Sequence, residues 1–315
     1  MTDQETNRKT QSSDPGRASL RYAPQSGASA TRSSSAAIAA GLDYLLQHVA
    51  EWDCSGKADA WMGCCVLARL GELPEHSISS LLREKVEAAL GNLLRMRAAC
   101  GHNDTDAEFL GRTIIALRAG GQAPPEDLLH ALWRCRQTDG GFALFPQDWS
   151  GSAPEITVTA VHALRTMDRP AEDFLAGCMQ RGESQLSSWL SVCAGILDWE
   201  KGLAPLPLLN QACRLIVRVR PQSAFEHALL LRCLVRLRLQ QAWISAAELR
   251  GMQMENGSWP GPAPRRPAAR ELSFNPDQQN VIATVTAVSA LALCESQPGL
   301  YFGSDLPRPR RLYES

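Results

Sequence analysis

Aromatic side chains are scarce in this 315-residue sequence, at 6%, and neither sign of charge dominates: 32 Lys and Arg stand against 33 Asp and Glu, for a net charge of -1. That balance removes the clustered basic face which a polyanionic backbone selects, so nucleic acid is not expected as a partner. No CxxC pair occurs. The ten cysteines (Cys54, Cys64, Cys65, Cys100, Cys135, Cys178, Cys193, Cys213, Cys233 and Cys294) are scattered, mostly inside apolar helical patterns. They read as buried, reduced thiols rather than a disulfide framework. Long apolar runs are missing too: the longest, Val281 to Cys294, is too short and too interrupted by Thr to span a bilayer. The N-terminus lacks the basic start and apolar core of a secretion signal. These absences predict a cytoplasmic protein without a transmembrane segment.

What is present is 44% hydrophobic residues, enough for one large core. Residues 1–35 are rich in Ser, Thr, Gln, Arg and Gly and carry almost no large apolar side chains, so they are expected to be a disordered tail. From Ala36 the sequence repeats loosely every 40 to 50 residues or so as helix, short loop, helix. The first unit reads as helices near Ile38–Val49 and Ala60–Leu70. The second places Leu82, Val86, Leu90 and Leu93 on one stripe and resumes with Ala107, Leu110, Ile114 and Leu117, the three-and-four spacing of a buried helix face. A third unit runs from Glu126 to Met167, a fourth and fifth fill roughly 171–199 and 206–239, and the sixth pairs Ile244–Met254 with Val281–Leu293. Six hairpins close most economically as two concentric rings of helices. The expectation is an all-α single barrel over 36–296, followed by a C-terminal tail at 297–315.

Two of the loops carry a family signal. Asp139-Gly140-Gly141-Phe142 followed by Glu155-Ile156-Thr157-Val158-Thr159-Ala160, and Asn256-Gly257-Ser258-Trp259-Pro260 followed by Ile282-Ala283-Thr284-Val285-Thr286-Ala287, resemble the repeat of prenyltransferases and squalene cyclases. The resemblance spans roughly residues 36–296 and implies the (α/α)6 barrel of the terpenoid cyclase and protein prenyltransferase group. Each glycine supplies a left-handed turn, and each following aromatic is expected to plug the gap between neighbouring hairpins.

Chemistry is most concentrated at Asn103-Asp104-Thr105-Asp106-Ala107-Glu108, which opens the inner helix of the second unit. Class II terpene cyclases, which the chain resembles, carry an Asp-rich DxDD string at such a helix mouth, where the middle carboxylic acid donates a proton to an alkene or epoxide, which implies catalytic roles for Asp104, Asp106 and Glu108. In one register Asp104 and Asp106 are the first and middle acids. Aligned instead by Ala116-Leu117, Asp106 is the first acid, Glu108 the middle one, and Phe109 takes the last place. The competing reading is structural: Asp104 is a good N-cap, and first-turn acids complement the helix dipole.

By the repeat geometry, the starts of the inner helices ring one mouth of the barrel, bringing Asp59, Trp61, Asp104 to Glu108, Glu155, Thr157, Ser188, Trp189, Glu226, His227, Asn280 and Thr284 together. Glu226-His227 has the makings of an acid/base pair. The Pro262–Asp277 loop adds Arg265, Arg266 and Arg270, suited to gripping a diphosphate, for which Mg2+ would then be the companion ion. Protein prenyltransferases bind zinc through Asp, Cys and His; Cys100 and His102 lie close to Asp104, but the spacing is not that of a metal site, so neither zinc nor any other cofactor is expected.

The resemblance therefore implies an enzyme using carboxylic general-acid chemistry on an isoprenoid or similarly lipophilic small molecule, in secondary metabolism. Cyclases of this type build their site between two barrels, so a single barrel looks to a second copy of itself or to a partner enzyme. Two alternatives share the fold: a non-catalytic prenyl- or lipid-binding protein, and a carbohydrate-active enzyme with paired carboxylates.

Overall fold

The computed structural model describes residues 33–50, 65–66, 68–70, 73, 84, 88, 91, 106–146, 151–181, 186–199, 203–261 and 280–297. All the regular elements among them are α-helices: α1 (Ser34–Ala50), α2 (Ala107–Ala119), α3 (Glu126–Trp133), α4 (Pro154–Leu164), α5 (Arg169–Arg181), α6 (Leu186–Asp198), α7 (Leu206–Ile216), α8 (Ala224–Arg236), α9 (Ala242–Gly251) and α10 (Val281–Glu295). They fall within one compact unit, Thr31–Ser315. The described residues 65–66 and 68–70 are helical inside the expected Ala60–Leu70 element, as are 84, 88 and 91 inside the stripe of the second unit. Helix α1 begins at Ser34, just inside the stretch expected to be tail; residues 1–32 and 298–315 lie outside the described ones. No described helix is long and apolar enough to cross a membrane.

Local chemistry sets the helix ends. Asp106 caps α2 by accepting the Phe109 N–H at 2.8 Å. At the other end Gly121 takes a positive φ, and the Gln122 N–H reaches back to the Leu117 carbonyl, a left-handed stop. Helix α4 starts on Pro154, whose missing N–H is not needed there. Helix α8 opens on a Ser223 cap: its hydroxyl accepts from Glu226 N–H at 3.2 Å, and the Glu226 carboxylate reaches back past the cap to accept from Gln222 N–H at 2.5 Å.

Helices α2, α4, α6, α8 and α10 pack side by side in that order. Each of α3, α5, α7 and α9 packs on the helix that precedes it in the chain, and α1 takes the same place on α10 while also touching α9. Ser35 Oγ donates to Glu295 Oε1 at 3.3 Å, so the start of α1 meets the end of α10. Helix α10 is buried around its whole circumference from Val281 to Ala292, as a helix enclosed on all sides must be. Gly41 lets α1 come close to it: a Cβ placed on Gly41 would lie 2.5 Å from Val288 Cγ2 and 2.9 Å from the Trp259 ring.

The two glycine-aromatic loops are built alike. Gly140 and Gly257 have φ of 87° and 89°. Asp139 Oδ1 accepts the Gly141 N–H and Asn256 Oδ1 accepts the Ser258 N–H, at 3.0 and 3.1 Å. Phe142 N–H donates to the Thr157 hydroxyl at 2.9 Å, and Trp259 N–H to the Thr284 hydroxyl at 3.1 Å. Both aromatics are buried. Gly140 abuts the backbone of Pro170 in α5, and Gly257 abuts Ala40 in α1.

Candidate functional site

The start of α2 is pinned to the α3–α4 loop by a bond from Ala107 N–H to the Leu144 carbonyl at 2.8 Å, and that same loop holds the start of α4 through Phe142 and Thr157. This brings Glu108 and Glu155, first-turn residues of α2 and α4, to one end of a helix pair. Glu108 is buried, and its Oε1 accepts from Arg112 Nε at 3.0 Å and Nη2 at 2.9 Å, one turn along the same helix. Glu155 is exposed at the start of α4, with part of its carboxyl shielded from water by the groups around it. That shielding raises its carboxyl above the ordinary value, a backbone hydrogen bond opposes the rise, and the charge of Glu108 adds the smallest push upward. A carboxylic acid that holds its proton more tightly than usual beside a second acidic side chain is the arrangement that proton donation uses.

Asp106 sits between these roles. It is 2% exposed, and its described bond is that of a cap, so the N-cap of α2 is Asp106 and not Asp104, the residue expected to fill that place. Phe109 and Trp189 lie in the hydrophobic core at 4% and 8% exposure. Glu226 is engaged by the Gln222 backbone, and His227 faces Glu248 of α9 at 3.8 Å instead of Glu226. Burial pushes the His227 imidazole below its ordinary value, toward the neutral form. Thr157 and Thr284, expected in the mouth, are fully buried clasps for the two aromatic loops, and Asn280 Oδ1 accepts from Gly261 N–H at 2.8 Å. Asp59, Trp61, Asp104, Arg265, Arg266 and Arg270 lie outside the described residues, as do Cys100, His102 and the side chain of Ser188.

On the otherwise buried faces of α2, α4 and α6, partly exposed residues recur at helical spacing: Arg112 and Ile115, Thr159 and His162, Ser191, Gly195 and Asp198. The stripe they form is largely polar. No such stripe exists on α10.

A second cluster was not anticipated. Asp198, at the end of α6, accepts at Oδ2 from Arg69 Nη1 (3.1 Å), Arg232 Nε (3.2 Å) and Arg232 Nη2 (2.8 Å), and at Oδ1 from Arg236 Nε (3.3 Å). Arg232 also donates to the Ser289 hydroxyl of α10. Although burial alone would raise it, the three guanidiniums hold the Asp198 carboxyl far below the usual carboxylate range. The sequence did carry a signal, since Arg232 interrupts the apolar run Leu229-Leu230-Leu231 to Cys233-Leu234-Val235, and a charge in a buried stripe requires a partner.

Seven cysteines are described, all free thiols. Burial pushes Cys135 up to about 11 and Cys193 up to about 12, which leaves both protonated and unreactive. Among the described residues no group of His, Cys, Asp and Glu is arranged to hold a metal ion.

A crystal structure of a protein from Actinoplanes is similar, with a TM-score of 0.61 and 17% identity over 84% of this chain and 100% of that one. At that identity the likeness shows a shared fold and nothing of the chemistry. No family model matches the sequence, and no curated protein does.

Proposed function

We propose that the chain is a general-acid enzyme on a single (α/α)6 barrel, related to the terpene cyclases, acting on an isoprenoid or other lipophilic substrate. Closure of the barrel is supported by a rule that runs past the ends of the described helices: α1 packs on α10 as α3 packs on α2, and the Gly257 loop rests on α1 as the Gly140 loop rests on α5. The observation that carries the enzymatic reading is the placing of Glu155 beside Glu108 at the start of two packed helices, with the Glu155 pKa raised above its ordinary value.

Glu155 is thus the proton donor in this proposal. Its O–H bond breaks as a C–H bond forms on an alkene, or an O–H bond on an epoxide, leaving a cation on the adjacent carbon and a carboxylate on the protein. Loss of a proton from the product cation back to that carboxylate restores the starting state. Glu108, tied to Arg112, stands beside the donor and adds a small push toward a more tightly held proton.

Incubation with squalene and with geranylgeranyl diphosphate in D2O tests this. The product should carry one deuterium, and Glu155→Gln should lower turnover by about a hundredfold or more with helix content unchanged. Undiminished turnover in Glu155→Gln would remove the acid from this position. The polar stripe on α2, α4 and α6 favours a second reading, a hydroxyl-rich substrate cleaved by the same two carboxylates; hydrolysis of aryl glycosides with no action on the isoprenoids would select it. Binding of an isoprenoid without turnover would instead point to the lipid-binding alternative.

A further inference from the structure

Over residues 203–247, from the approach to α7 to the middle of α9, the sequence holds six arginines and a single acid, Glu226. The net charge of -1 for the whole chain conceals this local excess. The same stretch carries most of the exposed apolar bulk. Of the five large apolar residues exposed among the described ones, Leu206, Val217, Trp243 and Ile244 belong to it, and the fifth is Trp133 of α3. One exposed Leu means little, but bulky apolar groups and charge of a single sign on one sector mark a contact surface.

On α7 the residues Leu206, Asn210, Arg214 and Val217 are exposed at helical spacing, so they form one outward stripe with Leu206 and Val217, 69% and 70% exposed, at its two ends. Helix α9 turns Ala242, Ala246 and Leu249 inward, and its first turn presents Trp243 and Ile244 outward. Helices α3 and α5 begin with acids (Glu126, Asp127 and Glu172) that complement the helix dipole, whereas the first turns of α7 and α9 carry none. Helix α7 packs on α6 and α9 on α8, and Arg236 of α8 binds Asp198 where both inner helices end. Leu206 and Trp243 therefore open two outer helices that set out from the same end of the α6–α8 pair, with exposed Arg238 in the turn before α9.

We infer that this sector rests on the surface of an anionic phospholipid bilayer, with the apolar residues of α7 and α9 entering the acyl boundary and Arg214, Arg218 and Arg238 facing the lipid phosphates. A nucleic acid would use the arginines and leave the apolar groups in water. A protein partner selects a compact apolar core with a polar rim. Here arginine and apolar side chains share one stripe of α7, and a Trp follows a basic turn, which is the mixture of an interfacial face. The inference is independent of the acid chemistry of Glu155.

The test floats the full chain with vesicles of phosphatidylcholine alone or with roughly 30% phosphatidylserine. Binding to the anionic vesicles is expected to be about tenfold stronger or more, and to weaken severalfold when sodium chloride is raised from about 0.1 M to about 0.5 M. Trp243→Gln with Ile244→Gln should lower it about tenfold or more, as should Arg214→Gln, Arg218→Gln and Arg238→Gln together. All five positions are exposed, so the fold should survive, which circular dichroism checks. Arg134→Gln, at an exposed arginine after α3, should bind as wild type. No flotation up to about 1 mM anionic lipid, equal binding to both vesicles, or binding untouched by Trp243→Gln with Ile244→Gln overturns the proposal. Absence of flotation together with a dimer that this same pair of substitutions dissolves in sedimentation would assign the surface to a second copy of the chain instead.

Discussion

Asp106 and Glu108 are two residues apart, and their surroundings assign them different work. Asp106 supplies a cap, so Asp106→Ala should lower stability by about 1 kcal/mol in urea unfolding, whereas Asp106→Asn, which keeps the acceptor, should change little. Glu155 has the opposite relation to stability. Its folded carboxyl is raised above its unfolded value, so the folded state holds the proton more tightly, and stability falls as pH rises from the unfolded value through the folded one. Glu155→Gln should abolish that decline and make the protein more stable than wild type at neutral pH, measured by urea unfolding across pH 4 to 8; a variant less stable than wild type there would show that Glu155 is held by favourable contacts. The sequence reveals Glu108 and Glu155 as first-turn acids. It does not reveal that Glu155 holds its proton more tightly than a free carboxyl, because that depends on how the fold shields it from water.

At the scale of helices and loops, one tight joint lies between α1 and α10. Gly41→Ala would drive a methyl group into Val288 and Trp259, and the expected loss is about 1 to 3 kcal/mol, as for other overpacked cores. Pairing it with Val288→Ala should recover part of that loss in a double-mutant cycle; purely additive losses would place the clash elsewhere. The helices themselves are legible in the sequence. The Ala107, Leu110, Ile114 and Leu117 stripe is α2, and the expected starts and stops of α4, α9 and α10 lie within a few residues of the observed ones. The glycine-aromatic loops are legible as well, since a positive φ and a buried ring follow from Asp-Gly-Gly-Phe and Asn-Gly-Ser-Trp. What could not be read is the function of the threonines behind them: Thr157 and Thr284 resemble mouth residues by position, yet their hydroxyls are used by the Phe142 and Trp259 backbones.

For the molecule as a whole, the Asp198 cluster joins Arg69 of the first unit to α6, α8 and, through Ser289, α10. Asp198→Asn leaves Arg232 buried with its main counter-charge removed, and a loss of about 3 to 5 kcal/mol is expected in chemical denaturation. The folded value of Asp198 is depressed, so its contribution is present above the unfolded carboxylate value of about 3.9 and is lost as pH falls through the lower, folded value. The wild type should therefore lose its advantage over Asp198→Asn only in strong acid. A contact between residues 129 positions apart, Arg69 and Asp198, has no local pattern to announce it, which is why helix periodicity shows the parts and not this connection. The bond between Ser35 and Glu295 is of the same long-range kind, and it bears on where the polypeptide needs to begin. With the first and last described helices in contact, a short linker from Gln297 to Ser33 could join them while new ends are cut at the exposed Gln122 between α2 and α3. Such a circular permutant should keep the helix content and a single cooperative melt, which would make the order of the hairpins along the gene a matter of history and not of folding.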